Sequence, residues 1–153
     1  MKVVLNDCFG GFGLSTKALM LYVQKTYGQA YLYYLARPTD IVVEYISDLS
    51  KLPKNASSHD CFVSPNFYGT RAELSKIKVI SDYSISRNDP NLVEVIQKLG
   101  DEANGSAARL KIETISSKGS WKILEHDGKE TLHAYADRPI LTDGLIYDII
   151  KTI

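Results

Sequence analysis

Three apolar residues in a row, Val3-Val4-Leu5, open the chain and predict a short, centrally buried strand over Lys2–Asn6. Ser15 then precedes an apolar pattern of Ala18, Leu19, Leu21, Tyr22 and Val23. That pattern predicts a helix capped by Ser15, running to about Tyr27 and stopped by Gly28. A second strand is predicted over 30–36, with Tyr31 and Tyr33 on one face, Leu32 and Tyr34 on the other, and Arg37-Pro38 as its stop. Residues 40–52 place Ile41, Tyr45, Ile46 and Leu49 at helical spacing, while the Val42-Val43 pair leaves a strand open as the alternative. The polar, turn-rich stretch 53–70 reads as a long loop, of a length uncommon unless functional or mobile.

An extended run over 77–80 resumes the apolar pattern. Asp89 as cap and Pro90 at the first helical position start a second helix through Leu92, Val93, Val95, Ile96 and Leu99, closed by Gly100. Residues 101–104 add one further turn. Strands over 110–115, 121–125 and 130–135, the last two joined at Asp127-Gly128, predict an antiparallel C-terminal meander. In 142–153, Leu145, Ile146, Ile149, Ile150 and Ile153 recur at helical spacing and predict an amphipathic helix. The fold class is therefore α+β, a single domain over 1–153 with an antiparallel C-terminal β-meander and flanking helices.

Composition narrows the function classes. The 153 residues suit one domain with a core, at 44% hydrophobic. Eighteen Lys and Arg balance eighteen Asp and Glu, which argues against a nucleic-acid polymer as partner. No apolar run is long enough to span a bilayer, and the chain begins directly on a strand, so no membrane partner and no signal peptide are expected. Cys8 and Cys61 lie far apart, and His59, His126 and His133 lack ligand spacing, so neither a metal nor a cofactor is expected. Two reduced cysteines fit a cytoplasmic protein. Ten tyrosines suit half-buried strands, and they also suit the stacking of bases.

The chemistry concentrates in residues 8–15, Cys-Phe-Gly-Gly-Phe-Gly-Leu-Ser, between the first strand and the first helix. Backbone N–H groups at Gly10, Gly11 and Gly13, beside a helix N-terminus, form an anion cradle that needs no lysine. The alternative is a tight turn where backbone passes backbone. The pattern is neither the P-loop nor the dinucleotide fingerprint. Arg87, beside the Asp89 cap, is a candidate phosphate clamp, or else a solvated charge. Asn104 and Arg109, flanking Gly105, are candidate ribose or base contacts, whereas Glu102 reads as surface. Glu125 and His133 lie on opposite arms of the predicted hairpin and are weak candidates for an acid–base pair. No G-x-S-x-G elbow supports a triad.

Three segments carry a resemblance: 3–15 (Val-Val-Leu-Asn-Asp-Cys-Phe-Gly-Gly-Phe-Gly-Leu-Ser), 87–105 (Arg-Asn-Asp-Pro through Glu-Ala-Asn-Gly), and Leu110-Lys111-Ile112 through Trp121 to Asp127-Gly128. Together they resemble a widespread family of small, mostly uncharacterised proteins of bacteriophages and prophages. The family's C-terminal segment ends in His-Arg after the hairpin, whereas here Ala134-Tyr135-Ala136-Asp137-Arg138 keeps only the arginine. The resemblance implies action in a host bacterial cytoplasm. Phage proteins of this size include homo-oligomeric sponges that sequester host immune signals: cyclic ADP-ribose isomers, ADP-ribose conjugates and cyclic dinucleotides.

The expected partner is thus a phosphate-bearing nucleotide small molecule, bound by a homo-oligomer without cleavage. Gly10, Gly11, Gly13 and Arg87 would hold pyrophosphate. Phe9, Phe12 or Tyr83 would stack the base, and Asn104, Arg109 and Arg138 would complete the pocket. The alternatives are a nucleotide-signal hydrolase using His133 and Glu125, and a protein-interaction inhibitor of a host enzyme presenting the C-terminal helix.

Overall fold

Ser15 ends an extended segment, and its Oγ accepts the Ala18 N–H at 3.1 Å, which starts helix α1 (Thr16–Tyr27); Gly28 closes it in the left-handed conformation. In this computed structural model, which describes residues 1–36, 41–116 and 119–135, α1 packs against helix α2 (Pro90–Leu99). Asp89 caps α2 through the Asn91 N–H at 2.8 Å, and Pro90 occupies the first turn. The same carboxylate accepts the Tyr22 hydroxyl at 2.7 Å, so one side chain both starts α2 and ties it to α1. The predicted stop at Arg37-Pro38, Arg138 and the predicted C-terminal helix lie outside the described residues.

The chain is α+β, with antiparallel strands throughout the described sheets. Strand β1 (Lys2–Asn6) pairs with β6 (Leu110–Thr114), with Val4 opposite Ile112. Strands β2 (Tyr31–Tyr34), β3 (Val42–Ile46), β4 (Cys61–Ser64) and β5 (Arg71–Glu73) form a sheet ordered β4-β2-β3-β5. Strands β7 (Trp121–His126) and β8 (Lys129–Ala134) form the C-terminal hairpin. Its turn has Asp127 and Gly128 both at positive φ, as the Asp-Gly pair predicts. Strand β6 joins β1 rather than β7, so the C-terminal strands are divided between two pairs.

The unbroken apolar run of β1 follows from burial on both faces. Val4 enters the main core with Leu14, Val23, Leu92 and Ile96, while Val3 and Leu5 pack under the hairpin with Ile115, Trp121, Ile123 and Leu132. Burial normally demands a strand on either side, yet among the described residues β1 has one strand partner. Its other edge is completed by irregular groups: the Val4 N–H donates to the Arg87 carbonyl at 2.8 Å and the Asn6 N–H to Glu130 Oε2 at 2.9 Å.

Two expectations are corrected. Over 40–52 the strand alternative replaces the helix: strand β3 is followed by a single 3-10 turn at Leu49–Lys51. Ile41, Val42, Val43 and Ile46 are β-branched, and pairing with β2 and β5 satisfies the backbone that a helix would otherwise satisfy alone. The polar stretch 53–70 contains β4, whose Val63 is buried opposite Leu32. Pairing with β2, rather than its own length or pattern, makes these four residues a strand. The tyrosines largely follow the strand reading. Tyr31, Tyr33, Tyr45 and Tyr68 pack with Phe67 on one face of the four-stranded sheet, and the buried Tyr33 hydroxyl accepts the Tyr68 N–H at 2.7 Å. Burial raises the Tyr33 pKa.

Candidate functional site

Between β1 and α1 the chain must reverse in few residues, and the glycines permit it by close backbone contact. A Cβ on Gly10 would stand 1.8 Å from the Ala107 carbonyl oxygen, and one on Gly128 would meet Gly11 N at 2.5 Å. The Gly105 N–H donates to the Gly13 carbonyl at 2.9 Å. The loop is therefore wedged between the 105–108 segment and the hairpin turn. Close backbone packing thus accounts for Gly10 and Gly128, and the same loop also lines a cleft of about 330 Å³.

Gly10, Gly11, Phe12, Gly13 and Leu14 form one wall of that cleft, with Thr16 of the α1 N-terminus. Ser58, His59, Cys61 and Val63 face them from β4 and the turn before it. Ser81, Asp82 and Tyr83 supply a third side, and Gly105, Ser106, Ala107 and Ala108 a fourth. The N–H groups of Phe12, Gly13 and Thr16 have no acceptor among the described residues. Asp82 spends Oδ2 on the Leu14 N–H at 3.1 Å, which holds the loop end to the wall. Tyr83 is 78% exposed at this cleft, a flat ring with no ring contact among the described residues. Burial pushes the Cys61 thiol up, with a smaller push from the Asp60 charge, despite its hydrogen bond with Thr16.

Of the ligand residues read from sequence, Gly10, Gly11, Phe12, Gly13 and Tyr83 meet here. Arg87 does not. Its guanidinium makes a two-pronged pair with Glu130, Nη1 to Oε2 at 2.7 Å and Nη2 to Oε1 at 2.8 Å, and stacks on Phe12 with Cζ 3.4 Å from the ring centre. Both terminal nitrogens, which would make the fork to a phosphate, are engaged by that carboxylate instead. Phe12 accordingly lies under Arg87, with 6% of its surface exposed, and is no stacking platform for a base. Asn104 accepts the Leu110 N–H at 2.8 Å and fixes the start of β6. Arg109 and Phe9 do not line the cleft; Arg109 Nη2 donates to the Asp7 carbonyl at 2.6 Å, and Phe9 stands beside Lys129.

The proposed acid–base pair also comes apart. Register sets Glu125 opposite Glu130 and His133 opposite Lys122, three positions apart and so on opposite faces of the ribbon. Glu125 instead closes the turn by accepting the Gly128 N–H at 2.6 Å. The sequence reading missed the β4 wall, Ser58, His59 and Cys61, and the Ser81-Asp82 pair, since nothing in the primary pattern joins 58–63 to 10–16. Among the described residues no cluster of His, Cys, Asp or Glu could hold a metal, and no helix is long and apolar enough to cross a membrane. Comparison with family models, with curated proteins and with solved structures returns no match for this chain.

Proposed function

We propose that this protein binds a nucleotide-derived small molecule in the glycine-loop cleft and sequesters it without cleavage. The observation that carries this reading is the convergence of three kinds of group on one cleft: backbone N–H groups before and at the start of α1 with no acceptor among the described residues, an exposed tyrosine ring, and hydroxyls from four segments. The N–H groups of Phe12, Gly13 and Thr16 suit a phosphate oxygen. Tyr83 suits a base face, while Ser81, Ser106 and the second oxygen of Asp82 suit ribose hydroxyls. With no Lys or Arg among the described lining residues, anion binding there rests on backbone dipoles.

The volume lies at the small end of ligand pockets, roughly 300–1,000 Å³. It accommodates one nucleotide unit, so a cyclic dinucleotide or an ADP-ribose derivative would be shared with a second copy of the chain. Sequestration in a host bacterial cytoplasm is the setting that the resemblance to phage proteins implies. Non-cleavage is favoured over hydrolysis by the separation of Glu125 from His133.

Calorimetry against cyclic ADP-ribose isomers, ADP-ribose conjugates and cyclic dinucleotides tests the reading. One of them binds saturably, is recovered intact after heat denaturation, and binds about tenfold more weakly to Tyr83→Ala, as for the loss of one stacked base. Absence of binding to every member, or recovery of a cleaved product, overturns it.

A further inference from the structure

Outside the cleft, the segments that pack around the glycine loop also gather positive charge. Arg109, Lys111 and Lys129 all approach the single carboxylate of Asp7, at 3.6, 3.7 and 3.8 Å. Glu113 takes part of Lys111 at 3.1 Å, so among the described residues three cations meet two carboxylates and one positive charge is left over. Lys129 also lies 5.6 Å from the ring centre of Phe9, which is 67% exposed. The Phe9 ring is thus held largely in water beside these cations.

We propose that Phe9, Arg109, Lys111 and Lys129 form a second ligand site, which takes a phosphate together with the base attached to it. Arginine offers a fork to phosphate oxygens and lysine a mobile point charge, while an exposed aromatic ring stacks a base of any identity. Asp7 keeps the cations together in the free protein and yields them to a stronger anion.

A buried side chain holds this patch in shape. Asn6 has no exposed surface. Its Nδ2 donates to the Cys8 carbonyl at 2.8 Å and to the Gly128 carbonyl at 2.7 Å, and its Oδ1 accepts the Arg109 N–H at 2.9 Å. Those groups lie in the peptide before Phe9, in the peptide before Lys129, and at Arg109 itself. A polar side chain costs free energy in a core unless its groups are used. Here they fix the backbone under three exposed side chains, which is how a binding surface is preorganised.

The site is independent of the cleft and can fail separately. In an amide-resolved NMR titration, adenosine 5′-monophosphate saturably shifts Phe9, Arg109 and Lys129. The exposed-residue variant Arg109→Ala/Lys129→Ala weakens that binding at least about tenfold. Phe9→Ala weakens adenosine monophosphate by about tenfold and leaves inorganic pyrophosphate unchanged. Tyr83→Ala alters binding in the cleft and leaves the patch shifts in place. A short oligothymidylate binding more tightly than the mononucleotide identifies a single strand as the source of phosphate and base, and the reverse order identifies a free nucleotide. Failure of all three ligands to shift the patch saturably, or equal affinity in Arg109→Ala/Lys129→Ala, overturns the proposal.

Discussion

Arg87 and Glu130 do the work of a missing strand. Their pair lies on the open edge of β1, where Glu130 Oε2 takes the Asn6 N–H, and Arg87 Nη1 reaches the Val4 carbonyl at 3.3 Å. Removing one partner leaves the other charge buried, with side chains only 19% and 7% exposed. Arg87→Ala is therefore expected to destabilise by about 3–5 kcal/mol, read from a urea midpoint. Arg87→Lys recovers little of it, because an ammonium can neither make two parallel bonds nor stack flat on Phe12. Full recovery by lysine would refute the geometric account. This residue also marks where sequence reasoning about the site fails. Arginine beside a helix cap offers the same letters whether it faces phosphate or a carboxylate 43 residues away. Tyr83 and the loop glycines were legible because their chemistry is local. The β4 wall was not, because strand pairing brings it there.

At the scale of elements, the glycine loop answers to two different demands, and its glycines separate them. Gly10 is required by packing, since any side chain would overlap the Ala107 carbonyl; Gly10→Ala is expected to lose much of the cooperative unfolding transition. Gly13 is not so constrained, for a Cβ there meets nothing closer than Asp82 Oδ2 at 3.8 Å, on the cleft wall. Gly13→Ala is expected to fold with a urea midpoint close to that of the parent while weakening ligand binding severalfold, because the methyl occupies cleft space. Unchanged affinity in a well-folded Gly13→Ala protein would count against the cleft as the binding site. The elements themselves divide in the same way by the range of the forces that make them. Both helices were legible, since Ser15, Gly28, Asp89, Pro90 and Gly100 are local punctuation. The hairpin at Asp127-Gly128 was legible for the same reason. Strand β3 was left open between helix and strand, and β4 was missed, because their identity depends on pairing outside their own pattern, with β2 and β5 for β3 and with β2 for β4.

For the whole molecule, tyrosine ionisation couples proton binding to folding. Burial and the hydrogen bond to Asp89 push the Tyr22 pKa from 10.0 up to about 12, and burial raises Tyr33 as well. Both groups join elements: Tyr22 ties α1 to the cap of α2, and Tyr33 holds the Tyr68 segment against the sheet. In the unfolded chain these phenols ionise near their ordinary value, so above pH 10 the unfolded state has released protons that the folded state still holds. The stabilisation is therefore complete below pH 10 and is lost as pH rises toward the folded value of about 12. Tyr68 acts in the opposite direction, since bonds from Asn66 and Lys78 lower its pKa, but it is solvated and its effect is screened. Urea midpoints are thus expected to hold steady between neutral pH and about 9.5 and then fall. In Tyr22→Phe the fall is shallower, and the protein at neutral pH is less stable by about 1–2 kcal/mol for the lost bond to a charged acceptor. If the alkaline slope of Tyr22→Phe matched the parent's, the phenol between the two helices would not be the group that senses pH.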